Sequence, residues 1–411
     1  MSTLFWYTPK QNVKNLNKHA TIDLIRFTPN GISRVELARE LNLTRAAVTS
    51  IINDLQEIGM VLEVEGSHPS GRKPIVLEIN PDRGFVLGID LGATHAMLLL
   101  ANYAAHVVKE LERPIDINQG PQMVLDQVDE FIHEILKDTG LNLSDLKAIC
   151  LGVPGPVVFK EGMVSEPPIM PGWDKFPIEG HIRTMWKVPS IVGNDAELGA
   201  IGEWAYGAGR GEKNLAYVKV GKGIGAGLLL DGQIYHGATG SAGEIGHITI
   251  EENGPLCSCG NRGCLEAMAG GNAVANRAME FVRRGQRTEL SSIHPIESIQ
   301  ARDVIAAACS GDLISQQILA EAGAHLGTAI AGLVNLFNPS MIVIGGGVSQ
   351  IGDLLLEPIR RTVQKRSLRM ASKRLRISTA LLGRRSSGMG AVVQALSLVL
   401  HQEIENSDDG R

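Results

Sequence analysis

The stretch from Gly243 to Glu266, GEIGHITIEENGPLCSCGNRGCLE, places one histidine ahead of three cysteines, with a loop rich in glycine, asparagine and proline between them. The four residues are His247, Cys257, Cys259 and Cys264. An imidazole and three thiolates complete a tetrahedral Zn²⁺ shell, and the glycines allow the loop to fold around the ion. Because all four ligands come from the protein, the predicted zinc is structural. It would fix the loop that carries Glu244 and Glu266 at its ends.

Disulfide bonds are the alternative for these cysteines. Cys257 and Cys259 are too close in sequence to pair comfortably, and three clustered cysteines leave one unpaired. The N-terminus also lacks the pattern of a secretory signal, so an oxidising compartment is not indicated. The spacing therefore favours zinc.

Length and composition are typical of an ordinary globular protein. The 411 residues are too many for one compact core, so two or three folding units are expected. Hydrophobic residues make up 44% of the chain and charged residues 20%, with no apolar run long enough to span a bilayer. We therefore expect a cytoplasmic protein without membrane contact. The two remaining cysteines, Cys150 and Cys309, lie alone in apolar segments and are predicted to be buried.

Residues 1–80 carry the pattern of a helix-turn-helix. Apolar residues at helical spacing predict a first helix over 12–27, and a capping box of Ser33 and Glu36 opens a second. Thr44 caps a third helix that reaches about Ile58. The outer face of this third helix presents small and polar side chains that suit a DNA major groove. These residues are Thr44, Arg45, Ala46, Thr49, Ser50 and Asn53.

Two predicted strands, 60–64 and 75–79, flank a segment that contains Arg72 and Lys73. This hairpin would form the wing of a winged helix-turn-helix, with a basic tip that contacts DNA. A helical bundle with a solvated polar face is the alternative. Nine Lys/Arg against eight Asp/Glu in residues 1–80 give only weak support for nucleic-acid binding. The order of capping box, turn, glycine stop and basic hairpin nevertheless favours operator DNA as a partner.

Beyond Pro81, apolar strands alternate with helices, which predicts an α/β architecture. Strands at 85–90 and 96–101 flank a turn whose backbone N–H groups could cradle a phosphate, with Asp90 placed to hold hydrated Mg²⁺. Any tight hairpin favours glycine, but two further glycine loops also lie at strand ends. The three loops together are much more informative than any one alone, and they are possible nucleotide-binding loops. The candidate residues are Asp90, Gly92, Thr94, Gly223, Gly225 and Gly346.

Three further features complete the α/β region. Asp195 lies where a short strand meets a helix, a junction at which open α/β folds place ligand groups. The proline-rich loop 166–173 ends in Pro171-Gly172-Trp173, which could line a pocket. A closing helix is predicted at 389–400, followed by a polar tail that we expect to be disordered.

From about residue 84 to residue 400 the chain resembles the ROK family of repressors, open reading frames and sugar kinases. The matching motifs, in order, are IDLGAT at 89–94, GND at 193–195, GEIGH at 243–247, CSCGNRGCLE at 257–266 and GGG at 345–347. The resemblance implies an actin-like, ribonuclease-H-like ATPase fold with two α/β lobes around a cleft. Residues 1–80 resemble the winged-helix extension of the family's repressors for xylose, glucose and N-acetylglucosamine.

The implied organisation has four parts. Residues 1–80 would be the DNA-binding domain, 81–190 together with 385–402 the first lobe, 191–384 the second lobe, and 403–411 a flexible tail. The resemblance also assigns roles. His247, Cys257, Cys259 and Cys264 match the family's zinc ligands. The positions that match its sugar-binding groups are Asn194, Asp195, Glu244, His247 and Glu266. Amide and carboxylate groups are what a hydroxyl-rich ligand needs.

In the family's kinases, the position of Asp195 is held by the general base that accepts the proton of the phosphorylated hydroxyl. Two departures weigh against a kinase here. Ala93 adds a side chain where backbone must approach phosphate, and Lys222 replaces a threonine hydroxyl. Ile169 stands where the kinases commonly have a sugar-contacting asparagine, which leaves the sugar open.

We therefore expect a sugar-responsive transcriptional repressor that binds a near-palindromic operator as a homodimer or tetramer. The first alternative is an ATP-dependent sugar kinase that retains a DNA-binding extension, with Asp195 as its catalytic base and Mg-ATP as its cofactor. The second is a regulator that responds to another protein, for example a sugar-transport component.

Overall fold

The computed structural model describes residues 13–66, 74–347 and 351–409. Its N-terminal unit contains α1 (Val13–Phe27), α2 (Arg34–Glu40), α3 (Arg45–Glu57), β1 (Val61–Glu65) and β2 (Ile75–Ile79). Ser33 and Glu36 form the predicted capping box at α2, and Thr44 Oγ1 accepts a hydrogen bond from Ala47 N at 3.2 Å. β1 and β2 pair antiparallel. Arg72 and Lys73, between the two strands, lie outside the described residues.

A first five-stranded sheet follows. In chain order, its strands and the elements between them are β3 (Phe85–Leu91), β4 (His95–Asn102), β5 (Val107–Pro114), α4 (Pro121–Thr139), β6 (Leu146–Val153), β7 (Val157–Val158), β8 (Met163–Val164), α5 (Ile178–Trp186) and β9 (Ser190–Asn194). The strand order is β5-β4-β3-β6-β9. β9 pairs parallel with β6, with Asn194 opposite Val153. The predicted boundary after residue 190 is therefore too early, because β9 is hydrogen-bonded into the first sheet.

The second sheet belongs to a larger helical lobe. Its elements are α6 (Asp195–Tyr206), β10 (Leu215–Val220), β11 (Ile224–Leu230), β12 (Gln233–Ile234), α7 (Leu265–Ala269), α8 (Gly271–Arg283), α9 (Ala301–Cys309), α10 (Leu313–Phe337), β13 (Met341–Gly345), α11 (Asp353–Arg366), α12 (Arg369–Ser372) and β14 (Arg376–Thr379). The strand order is β12-β11-β10-β13-β14. Cys309 is exposed at the end of α9, so the prediction that it is buried is wrong, whereas Cys150 in β6 is buried as predicted.

The two sheets follow one plan. Each begins with three antiparallel strands, β3 to β5 or β10 to β12, and adds two parallel strands on the side of the first of them. The strands at the centre of each sheet are buried on both faces, which explains their nearly continuous apolar sequences. This repeated arrangement is the two-lobed fold that the sequence predicts.

The last helix, α13 (Ser386–Asp409), is longer than predicted. Residues 401–409 were expected to be a disordered tail, yet they continue the helix. The reason is packing, since Ile404 is fully buried and the His401 ring stacks on His19 of α1 at a centroid distance of 4.3 Å. Glu403 also accepts a hydrogen bond from the Tyr103 hydroxyl at 2.9 Å. The polar C-terminal part of α13 thus has one buried face, which includes His401 and Ile404.

Helices α6 and α13 are in backbone contact. A Cβ at Gly202 would lie 2.1 Å from the carbonyl oxygen of Ser386, and a Cβ at Gly390 would lie 1.7 Å from that of Leu198. Only glycine permits this approach. One apolar core runs from the N-terminal unit along α13 into both sheets. Among the helices of the described ranges, none is both long and apolar enough to cross a membrane.

Candidate functional site

One cleft between the two lobes is lined by every residue that the sequence selected for a sugar or a nucleotide. The first group, here called the carboxylate set, is Asn194, Asp195, Glu244, His247 and Glu266. The second, here called the glycine set, is Asp90, Gly92, Thr94, Gly223, Gly225 and Gly346. The carboxyl ends of β3, β9, β10 and β13 meet at this cleft, as expected for an α/β fold.

Glu244 and Glu266 provide two acidic groups on the same wall. Glu266 Oε2 accepts from Ile224 N at 3.1 Å, and its Oε1 accepts from Ser258 Oγ at 3.3 Å. Burial, together with the nearby charges of Asp195 and Glu266, raises the pKa of Glu244 to about 7. Near neutral pH the Glu244 carboxyl can therefore either donate or accept a hydrogen bond, as a ligand hydroxyl also can.

Asn194 has a structural duty in addition to lining the cleft. Its Oδ1 accepts from Ala196 N at 2.9 Å and Glu197 N at 3.0 Å, and so caps α6. Its Nδ2 donates to the carbonyl oxygen of Gly155 at 2.9 Å. These three bonds occupy most of the hydrogen-bonding capacity of the amide, so one Nδ2 hydrogen is left to meet a ligand.

Lys219 also lines the cleft, although the sequence analysis did not select it. Its Nζ is 2.9 Å from Oδ2 of Asp195 and 3.1 Å from Oδ1 of Asp90. It also donates to Ser387 Oγ at 3.1 Å. The signal in the sequence was available, because Lys219 is the one charged residue of the otherwise apolar strand β10, LAYVKV. A buried lysine in such a strand needs a carboxylate partner.

Further residues of the cleft were not predicted as site residues. His95, Ser387 and Arg384 all line it, and burial lowers the pKa of the His95 imidazole. The loop 166–173 contributes Pro168 and Ile169. Trp173, from the Pro171-Gly172-Trp173 segment predicted to line a pocket, is instead fully buried in the core of the first lobe, where its Nε1 donates to the carbonyl oxygen of Ile117 at 3.3 Å.

The metal-ligand cluster adjoins the cleft through His247. The candidate ligand atoms of His247, Cys257, Cys259 and Cys264 all lie within 4.8 Å of one another. Cys257 Sγ is 3.6 Å from His247 Nδ1, and the Sγ atoms of Cys259 and Cys264 are 3.7 Å apart. Metal bonds of about 2.3 Å to sulfur and about 2.1 Å to nitrogen give tetrahedral edges of about 3.6 to 3.8 Å. The four side chains could therefore hold one metal ion.

The loop around this cluster depends on a glycine. Gly263 has a φ of +64°, and a Cβ there would lie 1.5 Å from the carbonyl oxygen of Glu251. The neighbouring Cys264 forms an isolated antiparallel β-bridge with Thr249, and Leu265 N donates to the carbonyl oxygen of Ile248 at 3.0 Å. These backbone contacts bring the cysteines close to His247. The fold of the loop itself therefore places the four candidate ligands together.

The outer face of α3 is exposed as predicted. Thr44, Arg45, Ala46, Thr49, Ser50 and Asn53 are all accessible to solvent. Val48, Ile52 and Leu55 are buried on the opposite side. Asn53 Oδ1 accepts from Arg34 at 3.3 Å, so its amide group is partly engaged within the unit.

Residues 86–397 match the sequence model of the ROK family. The chain belongs to the ROK family. The xylose repressor of Caldicellulosiruptor bescii is 31% identical over 389 residues, which cover 94% of this chain and 97% of the relative. The glucokinase of Halalkalibacterium halodurans is 35% identical over 311 residues, which cover 75% of this chain and 94% of that enzyme.

A solved structure gives the same result for the fold. A ROK family transcriptional regulator, a homologue of the Escherichia coli MLC protein, superimposes with a TM-score of 0.80 at 27% identity. The match covers 96% of this chain and 99% of that one. The two regulators thus match nearly the whole chain, N-terminal unit included, whereas the glucokinase matches three quarters of it.

Proposed function

We propose that this protein is a sugar-responsive transcriptional repressor. The observation that carries the proposal is the presence, in one chain, of an N-terminal unit with an exposed polar helix and a cleft lined by amide and carboxylate groups. The near full-length match to a xylose repressor supports it. Its place of action would be the cytoplasm, where an operator is accessible.

In this proposal, two subunits place α3 in successive major grooves of a near-palindromic operator. The contacts would come from Thr44, Arg45, Ala46, Thr49, Ser50 and Asn53, and Arg72 and Lys73 would contact phosphates. A homodimer is the minimum assembly for such a site, and a tetramer would join two dimers.

The effector would be a sugar or a sugar derivative held by the carboxylate set. Asp195, Glu244 and Glu266 offer acceptors for hydroxyl groups, and the Glu244 carboxyl also offers a donor when protonated. Asn194 and His247 would complete the wall. Zn²⁺ is the ion that best suits three thiolates and one imidazole, and it would hold His247 and the approach to Glu266 in place.

Helix α13 is a candidate route from the cleft to the DNA-binding unit. At its start, Ser387 Oγ donates to the carbonyl oxygen of Asp195 at 2.8 Å. Two turns later, Arg26 of α1 donates to the carbonyl oxygen of Val393 at 3.0 Å and to Ser397 Oγ at 2.9 Å. A ligand that favours one position of α13 would thereby shift α1, provided that it binds the two arrangements differently.

Operator binding tests this proposal. Duplexes selected from a random pool by the full-length protein would define the operator, and anisotropy titrations with xylose, glucose and N-acetylglucosamine would follow. Arg45→Ala should weaken operator binding and lower the slope of log affinity against log salt by about one. Arg302→Ala, an exposed arginine on α9, is the matched control. Equal affinity and slope in both variants would remove Arg45 from the interface.

The sugar response has its own variants. Asp195→Ala should abolish the effect of the sugar while operator binding without sugar persists. Ser397→Ala should keep the sugar affinity but reduce its effect on the operator. A normal sugar response in both variants would place the effector site and the route elsewhere.

Binding of a sugar-transport protein that changes operator affinity without any sugar would support the alternative, a regulator that responds to another protein.

The kinase alternative rests on Asp195, which lines the cleft, and on the glucokinase relative. In that case Asp195 would act as the base for the attacking hydroxyl, and Asp90, Thr94 and the glycine loops would hold Mg-ATP. ADP release that depends on one sugar would favour it.

A further inference from the structure

Lys219 joins both lobes through an ion cluster. Its Nζ lies 3.1 and 3.2 Å from the two carboxylate oxygens of Asp90, which belongs to the first sheet, and 2.9 Å from Asp195. Lys219 itself lies in the second sheet. The side chains are 18% exposed for Lys219, 3% for Asp90 and 14% for Asp195, so the cluster is shielded from bulk water. Shielded charges of opposite sign interact more strongly than surface pairs.

The same two carboxylates are the groups that a kinase of this family would use at its magnesium and base positions. Mg²⁺ takes oxygen ligands at about 2.0 to 2.1 Å and retains several waters. Here the ammonium is already in hydrogen-bond contact with both carboxylates, and so it takes up the space of that ion and its waters. A divalent ion would also meet the ammonium charge at close range. With Lys219 in place, the residues present do not fit Mg²⁺.

The Lys219 side chain stays protonated in the cleft. Burial opposes it, but the carboxylates of Asp195 and Asp90 outweigh the burial and raise the pKa of the Lys219 ammonium above its ordinary value. Ser387 Oγ, at 3.1 Å, takes a further N–H of the ammonium. The cation is thus tethered to β10, surrounded by oxygen atoms, and present at every physiological pH.

We propose that Lys219 supplies, as part of the chain, the cation that the Asp90–Asp195 pair would otherwise take from solution. The cleft is then a receptor that needs no divalent metal to hold its lobes together. A ligand entering it meets carboxylates that are already neutralised in part and fixed in position. This inference concerns only the cation and does not require DNA binding, so failure of the operator assays would leave it standing.

The test measures Mn²⁺ binding by electron paramagnetic resonance. It uses the full-length protein after its cysteine cluster has been loaded with zinc. Lys219→Ala should create about one Mn²⁺ site per chain, with affinity about ten-fold or more above that of the wild type. Adding Asp90→Asn to that variant should remove the site again. Lys222→Ala is the matched control, because it removes the same charge from an exposed lysine of the same cleft without vacating the position between the carboxylates.

Two results would overturn the proposal. One is equal Mn²⁺ affinity in Lys219→Ala, Lys222→Ala and the wild type, with folding confirmed by circular dichroism and zinc content. The other is Mn²⁺ binding by the wild type that Asp90→Asn abolishes, since it would show that the carboxylates take a metal while Lys219 is present. The second result needs no Lys219 variant and so remains decisive if Lys219→Ala does not fold.

Discussion

The carboxylate set and the glycine set line the same cleft but differ in what their charged groups already bind. Within the described ranges, neither Glu244 nor Glu266 forms an ion pair, so both remain available to a ligand. Asp90 of the glycine set is instead paired with Lys219 at 3.1 Å. Asp195 belongs to the first set and shares that lysine. A fold found in repressors and kinases alike can therefore leave some carboxylates of the cleft outside ion pairs while a lysine of the same chain lies between two others.

Loss of the metal from the cysteine cluster should have the largest effect on sugar binding by the carboxylate set. Cys259→Ser is expected to lose the ion and to loosen the loop between Glu244 and Glu266, because structural metal sites contribute folding free energy directly. Elemental analysis and sugar titration would measure both effects. Cys309→Ser, at an exposed cysteine outside the cluster, is the control. Full metal content in Cys259→Ser would refute this ligand.

Removal of one hydrogen-bonding group from each set should give a smaller but unequal effect. Glu244→Gln is expected to weaken sugar binding about ten-fold or more, because a hydrogen bond to a charged group contributes about 1.5 to 3 kcal/mol. Thr94→Val, of similar volume in the glycine set, should leave sugar affinity nearly unchanged. Calorimetry measures the sugar affinity of both variants. Equal losses of affinity would show that the carboxylate set is not the main sugar-binding group.

Repair of the phosphate loops should have the smallest effect. The double variant Ala93→Gly/Lys222→Thr restores the residue types that the family's kinases use, yet Lys219 still occupies the space between Asp90 and Asp195. We expect sugar affinity within about three-fold of the wild type and no sugar-dependent ADP formation in a coupled assay. Turnover by this variant would mean that the loops, and not Lys219, separate receptor from enzyme.

The sequence predicted the strand and helix order well because hydrophobic period and capping signals are local. The Ser33 cap and the Thr44 cap follow from such signals. The metal cluster was equally accessible, since its ligands lie within 18 residues in the motif from His247 to Cys264.

What the sequence could not provide depends on distant partners. Residues 401–409 read as a polar tail because nothing local reveals that Ile404 is buried and that the His401 ring stacks on His19 of α1. Lys219 was passed over because both of its carboxylate partners lie far before it in the chain, Asp90 by 129 residues and Asp195 by 24 residues. Asn194 matched a ligand motif, while its use as a helix cap emerged only from the geometry.

The most direct test of the central claim is calorimetric titration of the wild type with a panel of sugars, each repeated with Mg-ATP present and assayed for ADP. The account predicts that one sugar binds with the same affinity in both conditions and that no ADP forms. Sugar-dependent ADP release, or sugar binding that requires Mg-ATP, would contradict it, because either would show that the cleft still takes a metal nucleotide beside Lys219.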